Sequence, residues 1–151
     1  MLVTLATRTF TPEPTAAALR LGALARALAA GGDRVRVLTS RLARSVARDA
    51  RRLADGGVDA GEDSGLVEVR RAPVLRDRTG AVRGYVSYMS FDVPLVARLL
   101  TVPRPDVVVS EPPPTTGAAV RIACAARRAP YVYYCADIFS DAAALAGVSG
   151  L

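Results

Sequence analysis

The first forty residues constrain the fold more than any other part of the chain. Leu2 to Ala6 is an apolar run, and it breaks at Thr11, Pro12, Glu13 and Pro14. From Thr15 a helical period sets in, with Leu21, Leu24, Ala25 and Leu28 at i, i+3, i+4 and i+7, the spacing of one helix face. Gly31-Gly32 supplies the stop, Asp33 the turn, and Arg34-Val35-Arg36-Val37-Leu38 a second strand. Strand, helix, tight turn and strand make a βαβ unit. Such a unit sets its two strands parallel, joined by a right-handed crossover.

The rest of the chain repeats the alternation. Arg41 to Leu53 has a helical period, Gly56 to Gly65 reads as a loop, and Leu66 to Arg70 as a third strand. Arg76 to Arg83 reads as a polar, mobile segment. Tyr85 to Leu100 is amphipathic, and Pro94 is expected to kink it or to open a new helix capped by Asp92. Pro103-Arg104-Pro105-Asp106 leads into Val107-Val108-Val109-Ser110, a continuous β-branched run of the kind found in buried parallel strands. Thr115 or Thr116 is expected to cap a helix reaching Arg127. Pro130 introduces a strand from Tyr131 to Cys135, Asp137 to Asp141 is a loop, and Ala142 to Ala146 starts a further helical turn. Strands alternating with helices predict an α/β, Rossmann-like, doubly wound parallel sheet of order 3-2-1-4-5, and 151 residues suffice for one such domain.

Composition narrows the chemistry. All 20 basic residues are Arg, and the chain has no His, Lys, Asn, Gln or Trp. An imidazole base and a His metal ligand are therefore excluded, and no metal site is expected. Cys124 and Cys135 lack metal-ligand spacing and read as small buried residues of a reducing compartment. The N-terminus lacks the basic stretch and cleavage site of a secretory signal, and no run of about 18 apolar residues occurs. The expectation is a cytoplasmic protein. A net charge of +6 points to an anionic partner. Nucleic acid is the weakest choice, because the few aromatics are not interleaved with the arginines.

In a doubly wound sheet, ligands bind at the carboxyl ends of the strands beside the switch point. That rule selects Thr7 to Ala16, Ser110 to Thr116 and Ala136 to Asp141. The first loop places Glu13, Pro14, Thr15 and Ala16 at a helix start, where backbone N–H groups can hold a phosphate. A plain helix cap explains the same residues. The loop has neither GxGxxG nor GxxxxGK[ST], which disfavours dinucleotide and NTPase sites. In the second loop Pro112 and Pro113 form a rigid wall, and Glu111 can accept sugar hydroxyls or pair with an Arg. The third carries Asp137 and Asp141, suited to hydroxyl binding or acid/base work.

These loops lie within three stretches: FTPEPTAAALRLGALARALAAGGDRVRVLTS, PRPDVVVSEPPPTTG and APYVYYCADIFSDAAALAG. In their order and spacing the chain resembles the N-terminal domain of family 4 glycosyltransferases. These are retaining enzymes of the GT-B fold, here of the bacterial polysaccharide and lipopolysaccharide type. Thr15-Ala16 stands where that family commonly has a Gly pair, Gly32-Asp33 where Gly-His is usual, and Ala136 where many relatives have His.

The resemblance implies transfer of a sugar from a nucleotide-diphosphate sugar to a glycan or lipid-linked acceptor, without a cofactor. Glu13, Glu111, Pro112, Pro113, Asp137 and Asp141 would face the acceptor, with Asp137 the catalytic candidate. Pro14, Thr15 and Ala16 would approach the donor phosphates. GT-B enzymes carry a second, donor-binding domain with a Glu-x7-Glu motif, which these residues do not contain. The expectation is thus a truncated acceptor-side domain over residues 1–151, inactive alone, whose partner is the missing donor half. The alternatives are a non-catalytic Rossmann-like binding module and an unrelated α/β enzyme such as a sugar-nucleotide epimerase. Arg41, Arg44, Arg48, Arg51 and Arg52 surround Leu42, Val46 and Leu53 on a basic amphipathic segment. Such a segment can lie on the anionic inner face of a plasma membrane, and a solvated surface helix explains it equally.

Overall fold

The computed structural model describes residues 1–55, 65–82 and 84–135. The order is β1 (Leu2–Ala6), α1 (Ala16–Ala30), β2 (Arg34–Ser40), α2 (Arg44–Asp55), β3 (Val67–Ala72), α3 (Tyr85–Thr101), β4 (Val107–Ser110), α4 (Pro114–Arg127) and β5 (Tyr131–Tyr133). The sheet has five parallel strands in the order β3-β2-β1-β4-β5. The alternation of β-branched runs with helices therefore gives the expected Rossmann-like topology.

Register sorts the side chains onto two faces. Val3 lies beside Val35 and Val107, and Val35 beside Val67. This row, with Leu5, Val37 and Phe10, packs under Leu21 and Ala25 of α1. The opposite face, through Ala6, Leu38 and Val108, packs against Phe91, Leu95 and Leu99 of α3 and Val120, Ala123 and Cys124 of α4. A sheet covered on both faces needs apolar residues at consecutive positions, which explains why β1 and β4 read as near-continuous runs, whereas β2 carries a buried Arg36 that is paired with Glu68.

Local chemistry sets the helix ends. Thr15 caps α1 by accepting the Ala18 N–H at 3.1 Å, and Gly31 closes it, followed by Gly32 at φ +88°. On the other face Arg127 Nη1 donates to the carbonyls of Leu99, Leu100 and Val102 at 2.6 to 2.9 Å, satisfying the end of α3 from α4.

Several local expectations are corrected. Arg41 to Ala43 precede α2, because Arg41 N–H continues the sheet by bonding the Ala72 carbonyl at 2.8 Å. α3 is one helix running through Pro94, so no new helix opens there. The proline costs about 3 kcal/mol or more in a helix interior. Phe91, Leu95 and Leu99, all buried, return about 1.5–3 kcal/mol each, so burial wins. Asp92 is not a cap but a buried residue inside α3, accepting the Thr116 hydroxyl at 2.7 Å. Neither Thr115 nor Thr116 caps α4, which begins with Pro114 in its first turn, where a missing N–H is harmless. Cys124 is buried as expected, whereas Cys135 is exposed just beyond β5.

The loop from Gly56, the third ligand loop and the turn from Ala142 to Ala146 fall outside the described residues, and Asp137 and Asp141 with them. Among the described residues no helix is long and apolar enough to cross a membrane.

Candidate functional site

The loop after β1 is pinned from four sides. Thr7 N–H donates to the Leu38 carbonyl at 3.1 Å, and Phe10 plugs into the core beneath α1. Ser40 Oγ donates to the Arg8 carbonyl at 2.7 Å. Arg71, at the end of β3, donates to the carbonyls of Ser40 and Thr11 at 3.2 and 2.5 Å. Gly22 lets α1 approach closely: a Cβ there would lie 2.6 Å from the Thr11 methyl.

The segment after β3 lies across this loop. Arg76 holds it. Its Nη2 donates to Glu13 Oε1 at 3.1 Å, to Ser40 Oγ at 3.0 Å and to the Arg41 carbonyl, while Nη1 reaches the Gly80 carbonyl at 2.8 Å. Asp77 Oδ1 accepts from the Thr79 amide and hydroxyl and from the Ala81 amide, closing a turn. One arginine thus ties together the loops after β1, β2 and β3.

Between these loops lies a groove of about 380 Å³, bounded by Arg8, Thr9, Glu13, Thr15, Val46 and Arg76 among others. Glu13 forms its floor and is almost wholly buried. Burial pushes its carboxyl above the ordinary range, against the opposing pull of Arg76 and Arg71. Glu13 Oε2 is buried without a hydrogen-bond partner. Pro14, Thr15 and Ala16 are exposed. The cap uses a lone pair of the Thr15 oxygen and leaves its O–H free to donate outward.

The second loop lies apart from this groove. Glu111 is buried and turned back into the protein. Its Oε1 accepts the Thr7 hydroxyl at 2.8 Å, and Arg20 of α1 stands 3.8 Å from Oε2. Arg20 also lies 5.7 Å from the centre of the Tyr134 ring. Pro112 and Pro113 are half-buried. Glu13, Pro14 and Thr15 are thus brought together at one groove, while Glu111 braces β1 against β4 at the switch point.

Sequence reasoning missed Arg8, Arg20 and Arg76. Where every basic residue is arginine, composition gives no contrast by which to pick them. Arg8, two residues past the end of β1, carried the only positional signal. The groove also opens over β1, β2 and β3, rather than over β1, β4 and β5. Among the described residues no cluster of Cys, Asp and Glu is arranged to hold a metal ion.

A parallel, doubly wound sheet with a charged groove at the carboxyl ends of its strands defines a Rossmann-like α/β domain. The sequence model of the Glycosyl transferase 4-like domain family matches residues 15–150, and the chain belongs to that family. None of the curated proteins compared matches it. Among solved structures, residues 78–226 of a hydrogenase from Pyrococcus furiosus, its C-terminal domain, are similar in fold. The TM-score is 0.54 at 14% identity, over 87% of this chain and 88% of that one. A shorter form of the same domain, residues 83–215, gives 0.55 at 14% identity over 88% and 89%. At that identity the likeness is one of fold.

Proposed function

We propose that this domain is the acceptor-side wall of a retaining glycosyltransferase that moves a sugar from a nucleotide-diphosphate sugar to a glycan or lipid-linked acceptor. The observation that carries the reading is a charged groove at the end of β1 in a chain of the Glycosyl transferase 4-like family. Glu13 at the groove floor offers a carboxylate oxygen to acceptor hydroxyls. The exposed start of α1 offers the Thr15 O–H, the first helical amides and the positive end of the helix dipole to the donor diphosphate.

The chemical task is to stabilise charge on the departing diphosphate, and fixed N–H dipoles do this without reorganising. Glu111 serves the site by fixing the Thr7 end of β1. Asp137 and Asp141 are assigned to acceptor hydroxyls on the sequence resemblance alone. The donor sugar is held by a second domain, and residues 1–151 alone are inactive. No bound cofactor is required.

The test joins the chain to a donor-binding domain and assays transfer from a panel of nucleotide sugars to glycan and lipid-linked acceptors. The expected product keeps the anomeric configuration of the donor, read by proton NMR. An inverted product removes the retaining mechanism. Absence of transfer across the panel removes the glycosyltransferase reading, and turnover by residues 1–151 alone removes the need for a donor half.

A further inference from the structure

The groove carries an imbalance that a neutral sugar does not resolve. Arg36, Arg71, Arg76, Arg98 and Arg127 all spend guanidinium N–H groups on carboxylates or backbone carbonyls. Arg8 does not. Its guanidinium carbon lies 3.9 Å from the centre of the Tyr88 ring, and its Nε and Nη1 are buried with no hydrogen-bond partner. Buried polar groups are nearly always satisfied, and one that is not asks for an explanation. Arg8 makes no ion pair among the described residues. Arg76, the other cation of the groove, is already paired with Glu13.

Glu13 Oε2 supplies the complementary feature, a buried acceptor without a donor on the same groove. The lining thus presents an unspent guanidinium edge and an unspent carboxylate oxygen. A ligand that satisfies both carries anionic oxygens at one end and a hydroxyl at the other. The planar guanidinium offers charge-assisted N–H donors of the kind that recognise phosphate oxygens. The volume of about 380 Å³ lies at the lower end of the range for small-molecule pockets, about 300–1,000 Å³.

From these features we infer that the groove is a subsite for a phosphorylated sugar acceptor, with Arg8 holding the phosphate and Glu13 a ring hydroxyl. The inference rests on the acceptor-side reading above and adds to it the chemical class of the acceptor. On binding, the guanidinium turns from the Tyr88 ring toward the groove and exchanges stacking for charge-assisted hydrogen bonds. The phosphate ester can belong to a soluble sugar phosphate or to the headgroup of a glycolipid, and both present the same oxygens.

Calorimetric titration of the chain with glucose 1-phosphate, glucuronate, glucose and inorganic phosphate tests this. Glucose 1-phosphate is expected to bind at least tenfold more tightly than glucose or inorganic phosphate. Arg8→Gln is expected to remove that preference and Arg8→Lys to keep part of it, with folding checked by circular dichroism. In the wild-type chain the Arg8 Nε–H NMR signal is expected to shift on adding glucose 1-phosphate, which needs no variant. Vesicles bearing phosphatidylinositol separate the two sources: competition with glucose 1-phosphate assigns the lipid headgroup, and its absence assigns the soluble ester. Equal binding of glucose and glucose 1-phosphate, or a phosphate preference untouched by Arg8→Gln, overturns the proposal. Binding without sugar transfer by the joined enzyme would leave this subsite standing and remove the transferase reading. Transfer to neutral acceptors alone would do the reverse.

Discussion

The Thr7 hydroxyl and the Glu111 carboxylate meet at 2.8 Å, inside the protein, at the point where the ends of β1 and β4 lie side by side. The single hydroxyl proton has two acceptors within reach, Glu111 Oε1 and the Thr9 carbonyl, each at 2.8 Å. Glu111 is therefore part of the scaffold that sets the direction of the first loop. Glu111→Ala is expected to destabilise the domain by about 1–3 kcal/mol, the cost of removing a partner from a buried polar group. Glu111→Gln keeps an acceptor for Thr7 and is expected to cost less. The Arg20 contact adds little to either value, since it is long and Arg20 is exposed. Urea unfolding measures both variants, and an alanine variant as stable as wild type would show that Glu111 braces nothing.

A second buried pair joins α3 to α4, with Thr116 Oγ1 donating to Asp92 Oδ1 at 2.7 Å. Asp92 Oδ2 has no partner at all, so Thr116 is the one side chain seen to satisfy this carboxylate among the described residues. Hydrogen bonds to charged groups contribute about 1.5–3 kcal/mol. Thr116→Val is expected to lose that amount in thermal or urea unfolding, and Thr116→Ser to lose little. A Thr116→Val variant as stable as wild type beside a destabilised Thr116→Ser would point to the methyl group rather than the hydroxyl.

The sequence carried the sheet and its order but only part of the site, for a physical reason. β-branched runs, Gly31-Gly32 after α1 and the prolines ahead of β4 and β5 are local signals, read without knowing what lies across the molecule. Glu13 and Thr15 were legible because they sit at a strand-to-helix junction. Arg76 lies 63 residues from Glu13 and was not, since its role exists only once β3 is laid beside β2. Asp92 misled for the same reason: its partner Thr116 is on another helix, and locally it resembles a cap beside a proline. Glu111 was read as accepting sugar hydroxyls or pairing with an Arg; Arg20 stands 3.8 Å from it, and nothing local shows its contact with Thr7.

Gly117 allows α4 to lie against β5, for a Cβ there would stand 2.7 and 2.8 Å from two carbons of the Tyr133 ring. Alanine favours a helix over glycine by about 0.5–1 kcal/mol, while overpacking costs about 1–3 kcal/mol. The clash should win, and Gly117→Ala is expected to be net destabilising. Tyr133→Leu in the same chain is expected to recover much of the loss. A double-mutant cycle in urea reads the coupling, and strictly additive effects would refute the contact.

Glu13 links stability to pH. Burial raises its carboxyl above the ordinary value of 4.5, despite Arg76 and Arg71. A folded pKa above the unfolded one stabilises the native state at low pH, and that stabilisation is lost as pH rises through the folded value. The wild-type stability minus that of Glu13→Gln is therefore expected to fall as pH rises from 4.5, then to level off. Other carboxylates cancel in the difference. Unfolding in urea at a series of pH values gives the curve, and a rising difference would mean that the ion pair with Arg76 outweighs burial.

The exposed face of α2 bears on where the protein works. Arg44, Arg48 and Arg52 are all exposed, and their spacing of four sets them along one stripe. Val46 instead lines the groove, and Arg41 precedes the helix. Contact with a membrane through this face would thus be electrostatic rather than an insertion of apolar side chains. A basic residue near an anionic leaflet contributes about 1 kcal/mol, so three should amount to about 3 kcal/mol, roughly a hundredfold in partitioning. Reversing all three (Arg44→Glu, Arg48→Glu and Arg52→Glu) is expected to abolish cosedimentation with phosphatidylglycerol-rich vesicles. Raising the salt concentration should weaken wild-type binding, because surface charges are screened within about 10 Å at 0.1 M. Phosphatidylcholine vesicles should not bind either protein. Equal sedimentation of wild type and the triple variant with the anionic vesicles would leave α2 as a solvated helix and move any membrane contact to another face.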